Sequence, residues 1–192
     1  TPEKVTAKAD GSGAIATAYT ADSTAPTISD YQFDMNARTI KFDFSEPMAN
    51  FVDFTKFLLQ KETKLLSATE KFAFLSGTVV SGTVAGQTSI TIDMSAADVK
   101  SIKLVTGLAV SKGTTFLSFA LGAFKDMASV DLNSLTDQTG KQATTYVADT
   151  TAARLTDYTL DFNTNKLLMT FNDVVQPDTF AAASLTFQSA AS

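Results

Sequence analysis

From Thr27 onward the chain alternates between apolar and polar positions. Tyr31, Phe33 and Met35 fall on one side, Asp30, Gln32 and Asp34 on the other, the period of two of a half-buried strand. The MNAR segment turns the chain, and Ile40, Phe42 and Phe44 then alternate with Lys41 and Asp43. Residues 27–45 are therefore predicted to be a β-hairpin or two neighbouring strands of a sandwich. Further strands are predicted at 57–61, 71–75, 78–84, 89–94, 114–119 and 143–147, separated by turns such as SGT and AGQT. One segment breaks the alternation. Ser95, followed three residues later by Asp98, resembles a capping box, and Ala97, Ile102, Leu104 and Val105 give a partly apolar helical face ending near Gly107.

The opening pattern recurs. YTADSTAPTISDYQFDMNARTIKFDFSE from Tyr19 aligns without a gap to YVADTTAARLTDYTLDFNTNKLLMTFND from Tyr146, an offset of 127 residues. Asp22/Asp149, Asp30/Asp157, Tyr31/Tyr158, Asp34/Asp161, Asn36/Asn163 and Phe44/Phe171 are identical pairs, and FLLQ (57–60) meets LTFQ (185–188) after a shift of one residue. The apolar face is kept while the polar face drifts. A period this long exceeds the roughly 20–50 residues of solenoid repeats, so each unit should carry its own core. On this reading residues 1–21 are the tail of an upstream unit, 22–148 a complete unit, and 149–192 the start of the next.

Composition narrows the chemistry. The chain has no Cys, His or Trp, which removes disulfides, Cys/His zinc sites and every mechanism that uses imidazole as a base. A net charge of −5 with scattered lysines offers no basic face for nucleic acid. No apolar run reaches the length of a membrane span. Fifteen Phe against four Tyr point to core packing over exposed carbohydrate-stacking platforms. No carboxylate pair, Ser-Lys pair or glycine elbow stands out as catalytic, so an enzyme is not expected.

Seven to eight short strands with turns at sandwich-like spacing predict an all-β chain, an immunoglobulin-like β-sandwich per unit plus one short helix. The motifs Asp22, Thr24, Ala25, Pro26 and Phe44, Ser45, Glu46, Pro47, Met48 resemble the opening of the bacterial-type Ig-like repeats of S-layer and large adhesin proteins. FKDMASVDLN (124–133) is similar to the Asp-Leu-Ala-Gly-Asn turn of such repeats, with Ser129 and Val130 in place of Gly and Asn. The second copy departs from the pattern, with Ala153 for the proline and Asn172, Asp173, Val174 for Ser-Glu-Pro. The resemblance implies an extracellular or cell-surface setting and neighbouring repeats or copies of the chain as partners.

The acidic residues of DMNARTIKFDFSEPM admit two readings. Asp34 and Asn36 are expected to make a turn through hydrogen bonds to their own backbone, and Glu46-Pro47 to end a strand. Glu46, whose counterpart Asp173 is also acidic, lies near enough to that strand end to join a metal site. The stronger metal candidate is the joint between units, where Asp126, Asp131 and Asp137 precede Asp149, as Asp10 precedes Asp22; calcium held by Asp126, Asp131 and Asp149 would stiffen an array. Two functions follow. One is a structural module giving reach and mechanical continuity; the other is an adhesin-type module whose loops hold a glycan or a surface. The apolar residues of 149–192 need a cover, from another chain or from continuation of the same polymer.

Overall fold

The computed structural model describes residues 6, 8–64, 70–81 and 85–188. Its strands in chain order are β1 (Ile28–Asp34), β2 (Thr39–Val52), β3 (Phe57–Gln60), β4 (Lys71–Ala73), β5 (Gly77–Ser81), β6 (Gln87–Met94), β7 (Phe116–Phe119), β8 (Phe124–Asp126), β9 (Lys141–Gln142), β10 (Thr145–Val147), β11 (Leu155–Asp161) and β12 (Lys166–Phe171), with one α-helix, α1 (Ala96–Leu104). The chain is mostly β, as the alternation predicts. One sheet runs β10-β1-β2-β6-β5 with β8 also on β2; a second runs β4-β3-β7-β9; β11 and β12 pair only with each other. No described helix is long and apolar enough to cross a membrane.

The alternating aromatics of the sequence become the layer between the two sheets. Phe42 on β2 stacks on Tyr31 of β1 at 5.9 Å, tilts against Phe57 of β3 at 5.9 Å, and meets the edge of Phe124 of β8 at 5.2 Å. Phe57 meets Phe124 edge-on at 5.3 Å, so first and second sheet share one aromatic cluster. Burying each ring contributes roughly 1.5–3 kcal/mol, and the edge contacts add about 0.5–1.5 kcal/mol apiece. Helix α1 closes one end with Val99 and Ile102. Ser95 caps it as predicted, its Oγ accepting from the Asp98 N–H at 3.1 Å. Asp98 does not return the bond; its carboxylate is buried and accepts from the N–H groups of Leu75 and Ser76 at 3.2 and 3.1 Å, tying the helix start to the segment before β5.

Several boundaries differ from the sequence reading. Glu46-Pro47 does not end a strand. β2 continues to Val52, because past Phe44 β8 replaces β1 along one edge while Met48 still pairs with β6 on the other, and a proline without an N–H is tolerated at the register break between Asp43 and Met48. Within 22–148 ten strands are described where seven or eight are expected; β8 and β9 are too short to show a period. The last three residues of the strand expected at 78–84 lie outside the described residues.

β10 runs parallel to β1, with Gln32 opposite Thr145 and Asp34 opposite Val147. The backbone N–H of Thr144 donates to Tyr31 O at 2.8 Å and that of Met35 to Val147 O at 2.9 Å. The unit therefore begins at one end of its first strand and is left at the other, about 20 Å away at ~3.3 Å per residue. We call these the leading end, at Ile28, and the trailing end, at Asp34.

The β11–β12 hairpin repeats β1–β2 in detail. Both carry a register shift at the same place, between Ile28/Asp30 and Leu155/Asp157. Ser45 N–H donates to Thr27 O at 2.9 Å, and Asn172 N–H to Arg154 O at 3.1 Å; the Thr27 and Arg154 N–H groups donate back to the Ser45 Oγ and Asn172 Oδ1. The turns match too, with Asp34 Oδ1 accepting from Ala37 N–H and Asp161 Oδ1 from Thr164 N–H. The left-handed residue of the turn is Arg38 (φ 63°) and its counterpart Asn165 (φ 53°), not Asn36.

What differs is burial. Met35 is 4% exposed and Phe33 0%, whereas their counterparts Phe162 and Leu160 are 80% and 37% exposed, because among the described residues no second sheet lies over β11–β12. Phe42→Ala should therefore cost about 3–5 kcal/mol, and Met169→Ala at the matching position about 1 kcal/mol or less. Urea denaturation of the two variants checks the contrast; equal losses would mean that the hairpin face is covered within this chain.

Candidate functional site

The two ends of the unit carry opposite charge. At the leading end Asp22, Glu46 and Asp126 come together, one carboxylate oxygen of each lying within 4.8 Å of the others. Three elements build this cluster. Asp22 sits before β1 in a turn where its Oδ1 accepts from the Thr24 N–H at 2.9 Å. Glu46 follows the register break of β2, and Asp126 ends β8, whose pairing sets it opposite Met48. Asp126 is 1% exposed. Its Oδ1 accepts from the Val130 N–H at 2.7 Å, closing a turn in which Ser129 holds φ at 70°, a conformation that favours glycine. Its Oδ2 is buried without a hydrogen-bond partner. A buried acceptor left unpaired costs about 1–3 kcal/mol, and the Asp126 carboxylate sits beside two further acids. Partial burial, then the charges of Asp22 and Asp126, holds the Glu46 carboxyl above its ordinary pKa.

At the trailing end the same two sequence positions surround a cation. Asp149 and Asp173, the counterparts of Asp22 and Glu46, hold the Lys103 ammonium at 2.5 Å and at 2.6–2.7 Å. Lys103 lies in the last turn of α1, where a positive charge also suits the helix dipole. All three side chains are largely buried. Burial alone would favour the neutral amine, but the hydrogen bonds and charges of both carboxylates outweigh it, so the Lys103 pKa is raised. Asp149 is likewise lowered, the bond from Lys103 and the Thr151 N–H outweighing its desolvation. Asn36 adds to the joint: its Oδ1 accepts from the Thr150 N–H, the Thr150 hydroxyl and the Thr151 hydroxyl at 3.1–3.3 Å. A cleft of about 390 Å³ opens between Met35, Arg38, Lys100 and Lys103 on one side and Asp149 and Asp173 on the other.

The residues expected to share a metal are thus distributed. Asp126 joins Asp22 and Glu46. Asp149 is held by Lys103 at the other end of the unit. Asp131 faces Lys125 across an antiparallel bridge, at 3.6 Å. The sequence places Asp126 near the acid that follows it in the chain, whereas β8 runs back along β2 and sets it beside Asp22 and Glu46. The signal that could have found this is the repeat itself, since both Asp22/Asp149 and Glu46/Asp173 stay acidic across the offset. Asn36, read as a turn residue, ties the turn to the following linker instead.

The opposite shifts at the two ends give a sign test. Glu46, raised in the folded state, takes up its proton first as pH falls, which relieves repulsion at the leading end. Asp149, lowered, supports the joint at pH above its unfolded value near 3.9 and loses that support only as pH drops through the folded value. Lys103, raised, holds from below its ordinary value of about 10.4 until pH climbs through the folded one. Carboxyl ¹³C NMR titration should place Glu46 above about 4.3 and Asp149 below about 3.9; Asp126→Asn should lower the first and Lys103→Met raise the second. Unmoved values in those variants would refute the assigned contacts.

Comparison with family models, with curated proteins and with solved structures finds no match to this chain.

Proposed function

We propose that the chain is a non-enzymatic structural module of a long tandem-repeat extracellular surface or filament protein, with Ig-like sandwich units that give reach and mechanical continuity. The observation that carries this reading is the parallel pairing of β10 with β1. A unit entered at one end of its first strand and left at the other can be strung end to end, whereas a unit with both termini at one end would hang from its neighbours. The linker supports the same reading: eight residues after Val147 the chain starts β11, a copy of β1 with the same bulge. The exposed apolar face of β11–β12 then belongs to a unit whose own second sheet covers it.

The test lengthens the protein. A second copy of residues 22–148 inserted after Ala148 should raise the maximum dimension in small-angle X-ray scattering by about 35–40 Å, the diameter of a domain of this length. It should also leave the unfolding midpoint of the original units unchanged within error. An added copy that folds against the side of the first, leaving the maximum dimension nearly constant, would overturn the reading.

A further inference from the structure

The acidic cluster at the leading end and the lysine at the trailing end are related by the internal repeat. Asp149 and Asp173 stand 127 residues after Asp22 and Glu46; Asp22 and Asp149 each accept from the N–H two residues on, and Asp149 and Asp173 close on the Lys103 ammonium. The leading-end pair lacks any such cation among the described residues, and it is joined by a third carboxylate, Asp126, which is buried and whose Oδ2 has no hydrogen-bond partner. We propose that Asp22, Glu46 and Asp126 form a socket for the ammonium group of a helix lysine carried by a preceding unit, so that each unit plugs its Lys103 into the acidic end of the next. This rests on the tandem reading above.

The stoichiometry fits an ammonium. Lysine offers three N–H donors and no acceptor, and the socket offers three carboxylates converging on one point, so each proton has its own acceptor. At the trailing end two carboxylates are seen, Asp149 in the linker and Asp173 just after β12. A calcium ion asks for six to eight oxygens. Here one oxygen of Asp126 already accepts from the Val130 N–H and one of Asp22 from the Thr24 N–H, so the three side chains alone serve an ammonium better than a calcium ion. The lysine also arrives pre-aimed. It projects from the end of α1 at the trailing end, beside the Asn36 contacts that hold the linker threonines, and the next unit's first acid follows Val147 by two residues.

The lengthened protein tests this directly, because a carbodiimide joins an amine to a carboxylate only where they touch. In the 192-residue chain the reagent should link Lys103 to Asp149 or Asp173. With the second copy of 22–148 inserted after Ala148, a new link should join Lys103 of the first copy to Asp22, Glu46 or Asp126 of the second. Within one copy those groups lie at opposite ends, so the product is diagnostic. Lys103→Met in the first copy should abolish it, and Asp126→Asn in the second should reduce it several-fold while circular dichroism stays unchanged. Failure of the new link while Lys103–Asp173 still forms, in a protein that scattering shows to be extended, would overturn the socket and leave the tandem reading standing. A compact lengthened protein would remove the tandem reading itself. Calcium titrated into the 192-residue chain provides the competing outcome: saturable micromolar binding that Asp126→Asn abolishes would assign the cluster to a metal ion and overturn the lysine.

Discussion

A strand that lies parallel to the strand that opened the unit has to be reached by a chain that has crossed to the second sheet and come back. That constraint organises everything between Ile28 and Val147. β9 pairs with β7 in the second sheet, and only two residues later β10 pairs with β1 in the first, so the chain steps between sheets at its last turn. Ala143 is buried at that step, and the Tyr146 hydroxyl donates to Ala109 O at 2.5 Å on the loop after α1. The opening strand is thus gripped on one edge by β2 and on the other by the closing strand. Its apolar side, Tyr31 and Phe33, faces the aromatic cluster from the middle of the sheet instead of from an edge.

The same local sequence meets two fates because burial is a property of the partner layer. β11–β12 has the register, the bulge, the turn and the left-handed residue of β1–β2, all of which are set within a stretch of some twenty residues by alternation and turn chemistry. Local rules thus suffice to form the hairpin. They do not suffice to bury it, since the rings that cover Phe42 come from Phe57 and Phe124, far along the chain. An exposed apolar hairpin is costly in water, and the proposed array removes that cost by supplying the second sheet from the same unit.

This division also explains what could be read from the sequence. Alternation located β1, β3, β4, β6, β7 and β10 to within a few residues, and the Ser95 cap located α1, because each is decided by neighbours in sequence. β8 and β9 carried no period and exist by virtue of the strands they dock on. The continuation of β2 past Pro47 depends on a change of partner that no local pattern encodes. The site followed the same rule. The offset of 127 keeps Asp22/Asp149 and Glu46/Asp173 acidic, but joining Asp126 to the first two depends on the pairing of β8 with β2, and joining Lys103 to the others depends on the helix sitting at the trailing end.

Charge then gives the unit a direction. In the proposed array an acidic leading end and a lysine-bearing trailing end would attract each other between successive units, whereas two leading ends would repel through six carboxylates. A contact between unlike ends is heterologous, and when it does not close on itself it extends without limit. Largely buried pairs of this kind contribute more to orientation than to stability, because desolvation of both partners offsets most of their attraction. The bond of Lys103 to two acids, together with the Asn36 contacts to Thr150 and Thr151, therefore fixes the angle at which the next hairpin leaves the unit. In an array the persistence of direction is set at these joints, and the sandwich between them serves as the rigid strut that carries the angle from one socket to the next.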